Sequence, residues 1–396
     1  MRSVLLMIFA GVIASVLVMS LLPTTRQALM PQQSEPDREW VLIYYMAYDN
    51  NLEHCGPVIL DSLEKGAKGS KLVITVLSDD TERSGLKRYV ITSEGRSKEV
   101  LPTDNSASEQ VLGHYLTWVA KTYPAKHYAV VFLNHGGRLD EMCLDEWPGE
   151  NETKHWLSAR LVGPVLQRFR QEAPGEVELL FLQQCGRGSL ENLYNFRGTA
   201  RAIMASQLNV GAPNTYYEPT LSWLAGKEGV TGTGLARQIM ANDEHFSNYV
   251  CIDEKALAEL PARLGPVVKE LLGSQTGSPK PAKGLSPCFD IAEETNYDLF
   301  AWLECAFRES NRPTESLEKF KAWVQDKLIV GIAVHPRRGN SVKELCGLSL
   351  FVPETEAVRG VYSDYPIYQD SLLNDLWNVL YPIKARHKKE SKPEAR

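Results

Sequence analysis

Two unbroken apolar runs, each closing on a reactive residue and a glycine, constrain this chain more than any other feature. Residues 128–137 read Tyr-Ala-Val-Val-Phe-Leu-Asn-His-Gly-Gly, and residues 177–186 read Val-Glu-Leu-Leu-Phe-Leu-Gln-Gln-Cys-Gly. Apolar runs without polar alternation predict strands covered on both faces, the central parallel strands of an α/β sheet. A polar residue and glycine after the run mark the carboxyl-end loop, the edge where such sheets collect ligands and catalytic groups. His135 and Cys185 thus stand at two strand ends and form a candidate Cys/His nucleophilic pair.

The residue types suit that chemistry. A thiol with an ordinary pKa of about 8.5 is mostly protonated at neutral pH, so an attacking cysteine needs a neighbour that favours thiolate. An imidazole does this, and so does the amino end of a helix; Ser189 is a predicted N-cap for a helix over residues 190–196. Gly136 and Gly186 let backbone amides approach a developing oxyanion, and His135 would protonate the leaving amine. The alternative is structural: a cysteine in an apolar run commonly serves as a small core hydrophobe. Cys143 is a rival thiol, but no strong strand precedes it. His54 and Cys55 are adjacent and lack the spaced companions of a metal site.

The remaining pattern alternates strands and helices. Strands are predicted at 41–45, 72–77, 86–92 and 200–205, with helices from about 52, at 108–121 and at 158–171. Residues 136–157 are polar and glycine-containing, an expected exposed loop between the two key strands. From about residue 250 the pattern becomes mainly helical, with helices at 253–272, 296–308 and 316–327 and a Gly/Ser/Pro-rich loop at 273–287. The predicted organisation is a catalytic domain over 40–250 with a largely parallel sheet flanked by helices, a smaller C-terminal subdomain over 251–383, and a basic tail over 384–396.

Residues 4–22 carry no charge, enough to span a bilayer and long for a signal-peptide core. Residues 1–30 are expected to be a signal anchor, with a cleaved signal peptide as the alternative, followed by a linker over 31–39. Either places the folded part outside the cytoplasm, membrane-anchored or secreted. A net charge of −6 excludes a polyanion-binding surface as the organising feature, so no nucleic-acid partner is expected. The seven cysteines permit disulfides without specifying them.

These segments resemble the clostripain-like cysteine peptidases, relatives of caspases, legumains and gingipains on the caspase-hemoglobinase fold. Residues 40–53 are similar to the family's first strand with its Tyr-Met-Ala-x-Asp-Asn-Asn-Leu-Glu ending, and residues 134–137 to its Asp-His-Gly-Gly motif. Cys143 to Glu146 resembles a Cys-Trp-Asp element, Ala205-Ser206-Gln207 an Ala-Ser-Glu element, and residues 347–353 a late Gly-Leu-Ser strand. The resemblance spans residues 40–381 or so. It implies an endopeptidase with His135 and Cys185 as catalytic residues, Gly136 supplying an oxyanion amide, and Gln183 and Ser206 at the substrate.

Gln183 departs from that pattern, because the family places there an aspartate that selects arginine or lysine at P1. Without the countercharge a buried cationic side chain loses its pairing, so an altered P1 preference is expected, with a neutral or polar P1 residue as one alternative and an acidic one as the other. The Gln-Gln-Cys-Gly string resembles the caspase Gln-Ala-Cys signature, in which arginines help bind an acidic residue; Arg187 is the nearby arginine, and Glu146 or Glu218 are the residues that would restore a basic preference. The resemblance further implies maturation cleavage between residues 137 and 157, with Arg138, Lys154 and Arg160 as basic cut sites. No cofactor is expected; calcium assists some relatives, and Asp79, Asp80 and Asp145 are the acids at hand, without an assigned ligand set. The competing function is a caspase-like binding or scaffold protein with a degenerate site.

Overall fold

Parallel pairing of the apolar runs organises the molecule. The computed structural model describes residues 38–273 and 284–381. Its strands are β1 (Arg38–Ala47), β2 (Val73–Asp79), β3 (Lys87–Thr92), β4 (Gly95–Val100), β5 (Ala125–Leu133), β6 (Glu141–Leu144), β7 (Trp156–Ser158), β8 (Glu176–Gln183), β9 (Ala202–Ala205), β10 (Asn248–Asp253), β11 (Phe289–Ile291), β12 (Glu294–Asp298), β13 (Ile329–Val334) and β14 (Ser349–Val352). Nine of them form one sheet in the order β13-β10-β9-β8-β5-β1-β2-β3-β4. The strands β9, β8, β5, β1 and β2 run parallel, while β10 and β13 close one edge and β3 and β4 the other in antiparallel fashion. This is the largely parallel α/β sheet that the apolar runs predict.

Helices cover both faces. They are α1 (Cys55–Ala67), α2 (Glu109–Thr122), α3 (Ala159–Glu172), α4 (Leu190–Asn195), α5 (Tyr217–Ala225), α6 (Gly232–Asn242), α7 (Glu254–Ala258), α8 (Leu260–Leu272), α9 (Leu299–Glu309) and α10 (Glu315–Trp323). Successive residues of β1 point to opposite faces, and both sets are buried. Val41, Ile43 and Tyr45 join a core with Leu116 of α2, Phe169 of α3 and Val268 of α8. Leu42, Tyr44 and Met46 join a second core with Ile59 of α1, Leu221 of α5 and Ile239 of α6. Two-sided burial is why these runs carry no polar alternation.

Several expectations change in detail. The helix predicted over 253–272 is two, α7 and α8, because Pro261 in the first turn of α8 cannot continue the preceding ladder. The helix predicted from 296 begins at Leu299; its first residues belong to β12, and the Asp298 side chain caps α9 through the Phe300 and Ala301 amides. Residues 136–157 are not simply an exposed loop: β6 and β7 pair there, burying Met142, Cys143 and Leu157. The strand β4 and the helices α5 and α6 fill stretches without a strong periodic signal.

A boundary at residue 250 would cut through β10, which together with β13 completes the main sheet. The described residues belong to one compact unit beginning at Pro36. Beyond the sheet, a three-stranded sheet β11-β12-β14 and the helices α9 and α10 make up most of the C-terminal part. The predicted anchor over 1–30, most of the linker, the centre of the 273–287 loop and the basic tail lie outside the described residues. Among the described residues, no helix is long and apolar enough to cross a membrane.

Candidate active site

The register of the two central strands sets the geometry. Leu133 of β5 pairs with Gln183 of β8, so His135 and Cys185, each two residues farther on, leave the sheet level with one another on the same rim. The backbones come close here: a Cβ built on Gly136 would lie 2.2 Å from the Cys185 carbonyl oxygen, a separation only glycine allows. Gly186 has φ +67°, and its missing Cβ leaves room for the Phe289 ring of β11. Both side chains at the rim are partly exposed.

Each reactive group has its own partner at rest. The Asn51 Oδ1 accepts from His135 Nε2 at 2.7 Å, which fixes the ring and assigns the proton to Nε2, leaving the Nδ1 lone pair free. Cys185 Sγ lies 3.6 Å from the Val210 carbonyl and 3.4 Å from the Val210 amide. Burial pushes the Cys185 thiol above its ordinary value, with the Val210 bond and the Arg187 guanidinium acting in the opposite direction. Burial also pulls the His135 imidazole below its ordinary value, against the Glu146 carboxylate. Both shifts favour a neutral thiol beside a neutral imidazole at rest.

Amides hold the histidine end. Asn134 accepts from the His135 amide at 2.5 Å and from Asn50 Nδ2 at 3.1 Å, and both asparagines donate to the Leu144 carbonyl, at 2.8 and 2.9 Å. They tie the ends of β1 and β5 to the β6 hairpin. Beneath them Asp49, Asp79 and Asp145 gather with carboxylate oxygens within 4.8 Å of one another, and the Ser106 hydroxyl contacts Asp79 and Asp145. Burial pushes Asp79 up to about 8 and Asp49 to about 6, and raises Asp145 as well. These three oxygen donors are the group among the described residues that could hold a hard cation. Asp80, also considered for calcium, turns away and pairs with Lys87.

The cysteine end is held by a cation. Arg187 is 1% exposed, and its guanidinium donates to five carbonyls, those of Gly137, Arg138, Leu139, Glu141 and Cys185, at 2.7–3.3 Å. It is therefore committed to the loop after His135 and does not line a substrate cleft, contrary to the caspase-like reading of its position. Leu139 in that loop is also held from the C-terminal part, through Glu294 and Tyr365.

Gln183 and Ser206, the predicted substrate contacts, are buried. Gln183 donates to Asn214 and to the Tyr217 hydroxyl and accepts from the Tyr216 hydroxyl at 2.6 Å, and Asn214 continues to Asp243. Ser206 accepts from the Leu208 amide at 3.1 Å and reaches Asn248 at 2.9 Å, so it shapes the turn after β9. Glu146 is exposed and acts on His135, while Glu218 sits in the first turn of α5, beside α1. The rival thiol Cys143 is fully buried, receives a bond from Gln184 Nε2 at 3.2 Å and is pushed far above its ordinary value by burial. Cys55 is buried with His54 Nε2 beside its sulfur at 3.5 Å. All seven cysteines are free.

Of the predicted cut sites, Arg138 is exposed, Lys154 is paired with Glu109, and Arg160 begins α3 with Asp140 and Asp364 as partners. Residues 150–153 are the exposed crest of the interval. Asn51 and Asp49 were missed as site residues. Their signal was present: a run of carboxylate and amide side chains immediately past a buried strand, on the rim where the histidine also emerges.

The sequence model of the clostripain family matches residues 44–263. Among curated proteins, none matches. A solved structure described as an inactive zymogen C11 protease from Parabacteroides distasonis superimposes with a TM-score of 0.63 at 19% identity, covering 85% of this chain and 99% of that one. A secreted C11 cysteine protease from Bacteroides thetaiotaomicron, solved with an irreversible peptide inhibitor, gives 0.64 at 15% identity over 85% and 99% of the two chains. At these identities the likeness establishes a shared fold.

Proposed function

The chain belongs to the clostripain family of cysteine peptidases, and from that premise we propose that it is an extracytoplasmic endopeptidase with Cys185 as nucleophile and His135 as acid/base. The observation that carries the reading is the register of β5 and β8, which sends both residues out at one level of one rim. A neutral pair requires transfer at the moment of attack. As the Cys185 sulfur adds to the scissile carbonyl, its proton passes to His135; the imidazolium then gives a proton to the leaving nitrogen as the C–N bond breaks. Water hydrolyses the resulting thioester, restoring acid and thiol. Amides of Gly136 and Cys185 would steady the oxyanion, and Asn51 keeps the imidazole turned. The chemistry needs no cofactor.

The P1 preference departs from arginine and lysine in this reading, because the position two residues before the nucleophile is a neutral glutamine occupied by Asn214, Tyr216 and Tyr217. The extracytoplasmic site of action is supported by the charge-free stretch at residues 4–22. Iodoacetamide at mildly alkaline pH is the first test. Cys185 is expected to alkylate ahead of the other thiols, with burial holding Cys288 up at about 12 and Cys346 far above its ordinary value. Peptide hydrolysis is expected to disappear in Cys185→Ala and His135→Ala. Residual cutting by either variant at a rate near wild type would refute the dyad, and labelled protein confined to the cytoplasm on fractionation would refute the compartment.

A further inference from the structure

We propose that the cleft beside Cys185 binds an acidic side chain, so that the enzyme cuts after aspartate or glutamate; this rests on Cys185 being the nucleophile. Val210 joins the two features. Its amide and carbonyl meet Cys185 Sγ at 3.4 and 3.6 Å, and the same residue forms one wall of a cavity of about 550 Å³. The residue whose carbonyl is attacked lies against the sulfur, and the shared Val210 wall puts this cavity within reach of its side chain.

The far wall comes from the antiparallel edge of the sheet. Because β10 runs against β9, and β13 runs against β10 and so along β8 and β9, the residues before β10 and after β13 reach the rim where Cys185 emerges. Gly211 N donates to the His245 carbonyl at 2.7 Å, and His335 N to the Ser247 carbonyl at 3.1 Å, which fixes both segments. Four basic side chains line the cavity, His245, His335, Arg337 and Arg338, against a single acid, Glu244. Arg337 and Arg338 are exposed and have no carboxylate partner among the described residues. A guanidinium that is already unpaired gives up nothing to take a carboxylate in its two-pronged grip, whereas a lysine or arginine side chain entering here would face like charge.

The nearby buried Asp243 does not reverse the sign. Its oxygens accept from Asn214 at 2.7 Å, Tyr249 at 2.8 Å, and the Thr215 and His245 amides at 3.1 and 3.2 Å, all within the protein behind the cavity wall. The charge presented to an incoming side chain is that of the arginines.

Peptides identical except for Asp, Glu, Gln, Lys or Arg at P1 test the assignment, using the full chain, Cys185→Ala and the double variant Arg337→Ala/Arg338→Ala. Wild type is expected to prefer the acidic peptides. The double variant should lose about 10- to 100-fold in kcat/KM on them, the scale of a charge-assisted hydrogen bond, so that the preference for the Glu peptide over the Gln peptide collapses. Reversal to Arg337→Glu/Arg338→Glu should move preference toward Lys and Arg. Equal rates on Glu and Gln, or wild-type cleavage after Lys or Arg unaffected by the double variant, would overturn the acidic site while leaving Cys185 as nucleophile. Absence of hydrolysis of every peptide, together with no selective alkylation of Cys185, would overturn the nucleophile and the acidic site with it.

Discussion

The two strand ends that meet at the cleft are built with opposite electrostatics. Past β5, His135 sits above three clustered carboxyls and among three asparagines, with the Glu146 carboxylate acting on it. Past β8, Cys185 sits beside a buried arginine, with two further arginines across the cavity. Burial raises the thiol and lowers the imidazole, and the local charge at each end opposes that shift. Burial, with mutual crowding after it, raises Asp79 to about 8 and Asp49 to about 6, which removes part of the cluster's negative charge at neutral pH, and the carboxylate that acts on the imidazole is that of Glu146. One end is organised by neutral and protonated acceptors, the other by a cation. The difference suits a proton carrier on one side and an incipient thiolate on the other.

The sharpest way to break this picture is to part the two ends. In Gly136→Ala the added methyl would meet the Cys185 carbonyl at 2.2 Å and Arg187 Nε at 3.1 Å, so one backbone must move. A displacement of about 1 Å at a reacting centre costs on the order of 100-fold in rate, and a loss of at least that size in kcat/KM is expected, with circular dichroism unchanged. Wild-type turnover would mean that the strand ends need not be so close.

Removing the cation is next. Arg187→Met keeps length and apolar stem but strips the donor from five carbonyls. Breaking a buried charged network costs about 3–5 kcal/mol, read as a drop in urea-unfolding free energy. Arg187→Lys should recover only part, since an ammonium has three donors and no planar fork. Alkylation of Cys185 should also shift to higher pH in the Met variant, because a neighbouring positive charge that favoured thiolate is gone. An unshifted profile would separate the structural role from the electrostatic one.

Much of the cysteine and histidine placement was legible in the chain, because two-sided burial leaves strands without alternation and the glycines mark where they end. The rest depends on contacts that no local pattern carries. The bond between His135 and Asn51 spans 84 residues, and the acid cluster collects Asp49, Asp79 and Asp145 from the carboxyl ends of three strands, β1, β2 and β6. Gln183 looked like a pocket wall because its position in the strand was known; which way its amide points depends on Tyr216, Tyr217 and Asn214, thirty or so residues on. The helices α5 and α6 were obscured by Pro219 and by Gly226, Gly229, Gly232 and Gly234, which mask helical periodicity. The basic cavity was invisible, since its arginines follow an edge strand far along the chain.

A smaller effect sharpens the histidine side. Asn51→Ala removes one hydrogen bond to Nε2, about 1 kcal/mol and so about fivefold, expected in kcat with KM nearly unchanged. The acidic limb of the pH–rate profile should move as well, because the imidazole loses the acceptor that held its proton. A change confined to KM would place Asn51 at the substrate instead of behind the histidine.

The smallest expected effect concerns the acids themselves. Burial holds the Asp79 carboxyl at about 8 in the folded protein, above its ordinary value, so between about pH 4 and 8 the folded state carries a proton that the unfolded state has lost. Stability from this group is therefore complete at the acidic side of that window and declines as pH rises through it. Wild type is therefore expected to melt at a lower temperature at pH 8 than at pH 5, the direction that this linkage sets. Asp79→Asn keeps the shape of the protonated acid and has no proton to lose, so its melting temperature should depend less on pH over the same range. If the variant instead keeps the full slope, the protonation that sets histidine and cysteine ends apart must reside on Asp49 or Asp145, and the same measurement on those two positions would locate it.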